Sequence, residues 1–142
     1  MSVFLEEVFP VEAGDYVSAG QASTTIKRKL KQLGIQAAVL RRVSVASYEV
    51  ELNLVIHSMG GTLILQVDPE KVTLISRDVG PGIPDIDKAM TEGYSTANEE
   101  ARTLGFGAGM GLPNMRRNAT DFSIESQVGV GTCITMSFAL TG

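Results

Sequence analysis

Residues 62–85 read TLILQVDPEKVTLISRDVGPGIPD. Two apolar runs, residues 62–67 and 72–77, flank Asp68-Pro69-Glu70-Lys71, with proline at the second turn position. That pattern predicts a β-hairpin. Directly after it stands Asp78-Val79-Gly80-Pro81-Gly82, followed by Pro84 and Asp85, a composition that stops both helix and strand. A carboxylate and two bare backbone positions at a strand end have two readings. One is a tight turn, the commoner outcome for such a stretch taken alone. The other is a purine pocket, in which Asp78 accepts from the exocyclic amine of adenine and the glycines let the base approach the backbone. A Rossmann fingerprint fits poorly, because Pro84 and Asp85 stand where its third glycine is needed. No G-x-x-x-x-G-K-[ST] occurs, so this is not a P-loop.

Upstream, residues 3–11 predict a first strand, ended by Pro10 and Gly14. Between Asp15 and Leu33, Val17, Ala19, Ile26, Leu30 and Leu33 recur at near-helical spacing, with basic residues in the last turn and Gly34 behind it. A second helix is expected from Gln36 to Ser58, stopped by Gly60-Gly61 and apolar around much of its circumference. Glu49, Asn53 and His57 recur along it at four-residue intervals and form one polar stripe. Such a stripe is either a wet seam or a buried polar row. Its flanks (Tyr48, Val50, Leu52, Leu54, Val55, Ile56) leave little room for water, and buried polar groups need partners. A bound metal–phosphate group would supply them.

Downstream, a short helical piece is expected at residues 85–90. Residues 91–111, TEGYSTANEEARTLGFGAGMG, are small, polar and glycine-rich, either a functional lid or a disordered loop. LPNMRRNA (112–119) suits a short helix, so the glycines at 105, 107, 109 and 111 end a loop at a helix N-terminus, where backbone amides bind anions. FSIES (122–126) and TCITMSF (132–138) alternate apolar with polar. Ile134, Met136 and Phe138 face one way, and Cys133, Thr135 and Ser137 the other. The expected fold is α/β: a two-layer sandwich with a mixed, mostly antiparallel sheet and helices on one face. No linker divides residues 1–142, so one domain is expected.

Bulk composition narrows the partners. A net charge of −4 argues against a nucleic-acid binder. One cysteine (Cys133) and one histidine (His57) exclude an internal disulfide and Cys- or His-cluster metal sites. The N-terminus carries acids where a secretion signal carries lysines, and no apolar run reaches membrane-spanning length. A soluble, cytoplasmic protein without nucleic-acid or membrane partners is therefore expected.

Each motif is weak singly, but their order is informative. Glu49-x-x-x-Asn53 on a helix, Asp78-x-Gly80-x-Gly82 after a strand, Gly105 to Gly111 before a helix and Gly131-Thr132 before the last strand resemble the N, G1, G2 and G3 boxes of the Bergerat fold. That ATP site is shared by gyrase, the ninety-kilodalton heat-shock chaperone and sensor histidine kinases. The resemblance runs from about residue 14 to 139. Within that superfamily the chain resembles the anti-sigma-factor serine/threonine kinases, and DVGPGIPDIDKAMTEGYST (78–96) is similar to the switch kinases of bacterial stress-response modules.

The resemblance implies ATP and Mg²⁺, with Asn53 as metal ligand and Glu49 as general base. It implies Asp78 on the adenine amine with Thr132 in support, Gly80 and Gly82 beside the base, and Gly105, Gly107, Gly109 and Gly111 along the phosphates. Arg102 matches an arginine that reaches the terminal phosphate, although lid lengths differ. A lysine that often follows the lid's Ser/Thr pair is replaced by Ala97 after Ser95-Thr96. The implied substrate is a STAS-domain antagonist protein, and a sigma factor or phosphatase is a further partner left open. Homodimers are common among such relatives, and the residues decide neither way.

Two function classes follow: a serine/threonine protein kinase, or an ATP-gated binding protein that sequesters a sigma factor or other regulator without phosphotransfer. A detached histidine-kinase catalytic domain is disfavoured, since the only histidine lies in the ATP-site helix.

Overall fold

The computed structural model describes residues 5–91 and 111–140. Strands β1 (Leu5–Val11), β2 (Gly61–Val67), β3 (Lys71–Asp78), β4 (Asp121–Gln127) and β5 (Gly131–Ala139) form one sheet in the order β1-β2-β3-β5-β4. Helices α1 (Gln21–Gln32), α2 (Ala37–His57), α3 (Ile86–Ala89) and α4 (Gly111–Asn118) complete the described elements. Every strand pair among the described residues is antiparallel, so the expected mixed sheet narrows to an antiparallel one. Pro10 is accommodated inside β1 rather than ending it, because β1 is an edge strand.

Strand alternation fixes the two layers. Leu63, Leu65 and Val67 of β2, Val72 and Leu74 of β3, and Ile134, Met136 and Phe138 of β5 are buried together. Their neighbours Ile64, Ile75, Cys133, Thr135 and Ser137 point to the other, half-exposed face. Against the buried face lies α2, which contributes Val39, Val43, Ala46, Val50, Leu54 and Val55. It packs between α1 and α4. The β2–β3 turn closes as its residue types demand, with Asp68 Oδ1 accepting from the N–H groups of Glu70 and Lys71 at 2.7 and 3.0 Å.

One boundary departs from the expectation. Helix α1 starts at Gln21, not Asp15. Asp15 Oδ1 instead accepts from the Ser18 N–H at 3.2 Å, a local turn that competes with helix, and Gly20 sits at φ 101° in the left-handed region. Val17, counted as part of an apolar helix face, is 95% exposed.

Candidate functional site

Successive residues of an α-helix are 100° apart, so Glu49 and Asn53 lie about 40° from each other while Glu51 lies about 160° from Glu49. The structure separates these groups accordingly. Glu51 points into the fold; its exposure is 2%. Its carboxylate accepts from the N–H groups of Gly20 (3.0 Å), Ala22 (3.2 Å) and Ser23 (2.9 Å), closing the N-terminus of α1. Glu49 faces the N-terminus of α4. Its Oε2 accepts from Asn114 Nδ2 at 3.4 Å, and a side chain at Gly111 would meet the same oxygen at 3.5 Å. Arg117 Nη1 donates to Asn114 Oδ1 at 3.0 Å, which turns the Asn114 NH₂ group toward Glu49.

Burial pushes the Glu49 carboxyl above its ordinary 4.5, and the Asn114 hydrogen bond opposes part of that rise. A general base acts only when ionised. With Glu49 as the base that the family resemblance implies, phosphotransfer should fall as pH drops through a point above that of a free glutamate. Asn114→Leu removes the opposing hydrogen bond, so the acid limb of kcat/KM moves to still higher pH. A limb that stays put or moves down in a pH–rate profile would contradict the role of Asn114.

One turn on, Asn53 is half-buried, and its amide has no hydrogen bond among the described residues. His57 follows at the end of the stripe, where burial pushes its pKa down. Ser58 and Met59 carry the helix end to the tip of β3. Met59 N–H donates to the Val79 carbonyl at 2.7 Å, and a side chain at Gly80 would touch Ser58 Cα at 3.3 Å. The stripe thus runs from the start of α4 to the Asp78 loop, a span of about 12 Å for eight residues of helix.

At that loop Asp78 Oδ1 accepts from Thr132 N–H at 2.9 Å. Burial raises the Asp78 pKa, and the Thr132 N–H opposes the rise. Gly131 is what lets β5 come so close, since any Cβ there would collide with the Asp78 carbonyl. Gly82, at φ 75°, is pressed against the β4–β5 turn, where a Cβ would meet the Gln127 carbonyl oxygen at 2.5 Å. Its small size therefore serves loop packing directly. Gly111 opens α4, and Thr132 is 8% exposed beside Asp78. Arg102, Gly105, Gly107 and Gly109 lie outside the described residues.

Three contributors escaped the sequence reading: Asn114, Gly131 as the close-approach position, and Ser126, whose hydroxyl is 2.8 Å from that of Thr132. The register of the last hairpin, which sets Ser126 opposite Thr132, is the signal that could have found Ser126. A separate open notch of about 300 Å³, lined by Glu70, Lys71, Thr120, Asp121, Ser137 and Ala139, lies at the other end of β3, away from Asp78.

This arrangement agrees with the sequence comparisons. Residues 41–142 match the family described as histidine kinase-, DNA gyrase B- and HSP90-like ATPase, and the chain belongs to that family. Among individual proteins, it is similar to the serine/threonine-protein kinase RsbT of Bacillus subtilis (strain 168), with 31% identity over 122 residues, 83% of this chain and 84% of the relative. It is also similar to the anti-sigma F factor of Thermoanaerobacter sp. (strain X514), with 30% identity over 121 residues, 82% of this chain and 81% of the relative. The anti-sigma F factor of Caldanaerobacter subterraneus subsp. tengcongensis is 29% identical over the same proportions. No helix among the described residues is long and apolar enough to cross a membrane.

Proposed function

We propose that this chain is an ATP-dependent serine/threonine protein kinase of the anti-sigma switch type, whose substrate is a hydroxyl of a STAS-domain antagonist protein. The observation that carries the reading is the polar stripe of α2. It sets a desolvated carboxylate (Glu49) against the start of α4 and, one turn away, an amide (Asn53) with no hydrogen bond among the described residues, and it leads to Asp78. Membership of the ATPase family and likeness to a named serine/threonine kinase support it.

In this reading Asp78 and Thr132 hold the adenine edge. Glu49 Oε2 is engaged by Asn114, and the other carboxylate oxygen takes the proton of the attacking hydroxyl. Among the described residues no group of three or more His, Cys, Asp or Glu side chains gathers to form a protein metal cage. A single amide oxygen at Asn53 suits Mg²⁺, which commonly takes one or two protein ligands and completes its shell with phosphate oxygens and water. Bound there, the ion would neutralise phosphate charge during transfer.

The test is transfer of radiolabel from γ-labelled ATP to a STAS-domain partner, with Asp78→Asn as the control. With Thr132 N–H held by the amide oxygen, asparagine turns its NH₂ toward the adenine amine, donor against donor. ATP affinity should fall by about 10- to 100-fold or more. Normal ATP affinity in calorimetry of that variant would remove the purine from Asp78. ATP binding with no label on any partner would instead favour a nucleotide-gated binding protein, the reading to which likeness to anti-sigma F factors lends support.

A further inference from the structure

Thr132 stands between two polar groups on the helix-facing side of the sheet. On one side is Asp78 of β3, bonded to its N–H. On the other is Ser126 of β4, its direct cross-strand partner. Ser126 Oγ accepts the N–H of Ile83, from the loop after Gly82, at 2.7 Å. A serine hydroxyl owns one proton, and two oxygens lie within its reach: Thr132 Oγ1 at 2.8 Å, itself a donor or an acceptor, and the Gly131 carbonyl at 3.3 Å. The first distance is ordinary for O–H···O, and the second lies beyond the usual range. Either hydroxyl can donate across the 2.8 Å contact; with Ser126 as the donor, the threonine's own proton is left to point away from Ser126, into the site.

We propose that Ser126 is a positioning residue for base selection. By donating to Thr132 Oγ1 it makes that hydroxyl a fixed donor beside the Asp78 acceptor. Adenine presents an amine donor next to the N1 acceptor and matches this pair. Guanine and hypoxanthine present a carbonyl acceptor next to an N1–H donor and oppose it at both positions. The Thr132 proton reaches N1 directly or through one ordered water. This inference rests on the reading that the purine lies against Asp78.

The experiment is calorimetry of the full chain with Mg·ATP, Mg·ITP and Mg·1-deaza-ATP, in which N1 is replaced by C–H. The wild type should prefer ATP over 1-deaza-ATP by about tenfold, the size of one ordinary hydrogen bond. Ser126→Ala should shrink that ratio to under about threefold and narrow the preference over ITP. Ser126→Thr, which keeps the hydroxyl, should restore both. If Ser126 merely anchors the Ile83 loop, Ser126→Ala weakens ATP and 1-deaza-ATP by one common factor, and an unchanged ratio overturns the proposal. Ser126→Cys, with similar bulk and a poor donor, gives the same reading should the alanine variant not fold. Asp78→Asn separates the levels. Unchanged ATP affinity there overturns the purine assignment and this inference with it, whereas a loss there beside an unchanged Ser126→Ala ratio overturns this inference alone.

Discussion

Glu49→Gln should lower phosphotransfer to a STAS-domain partner by about 10²–10⁴ while ATP affinity stays within about threefold of the wild type. The substitution keeps the shape of the side chain and an oxygen to accept from Asn114 Nδ2. It removes the one property that the proposed base needs, a lone pair basic enough to take the hydroxyl proton as the oxygen attacks. Burial has already raised the affinity of this carboxylate for a proton, which strengthens it as a base. Calorimetric titration with Mg·ATP provides the fold control, because a misfolded protein would lose binding and transfer together. Transfer by the glutamine variant within about threefold of the wild type would take Glu49 out of the mechanism. Loss of both activities would point to a structural role for its charge.

The polar stripe, the final hairpin and the Asp78 loop were legible because each is written in local residue order. A four-residue interval survives as a helix face, and period-two alternation survives as a buried and an open sheet face. The start of α1, at Gln21 rather than Asp15, departs from the local pattern for the opposite reason. Apolar spacing from Val17 suggested a helix, but the short side chain of Asp15 found a nearer N–H at Ser18, and a left-handed Gly20 broke the run. Ser126 and Asn114 matter only through residues distant in sequence, Ile83 and Glu49, and no local pattern encodes such pairs. The two glutamates of the YEVEL segment show the same limit. Both are acidic residues in one apolar helix, and only the packing of α1 reveals that they do different work.

Glu51→Ala should destabilise the fold by about 3–5 kcal/mol, more than any substitution on the open face of the sheet. Three N–H groups at the start of α1 lose their acceptor at once, and two of them belong to buried residues, Ala22 and Ser23. No side chain of the α1 N-cap replaces it, because the N-cap is Gly20. A carboxylate at a helix N-terminus also contributes through the dipole, so Glu51→Gln, which keeps two hydrogen-bond sites but no charge and one wrong polarity, should fall between alanine and the wild type. Urea unfolding would read the loss as a lower midpoint at an unchanged slope, and melting as a drop of roughly 10 °C or more in Tm. At temperatures where the variant stays folded, its ATP affinity should remain within about threefold of the wild type, since Glu51 faces away from Glu49 and Asn53. A stability loss under about 1 kcal/mol would mean that water satisfies those amides as well as the carboxylate does, and that α1 is held on α2 by Ile26 and Leu30 without its buried cap.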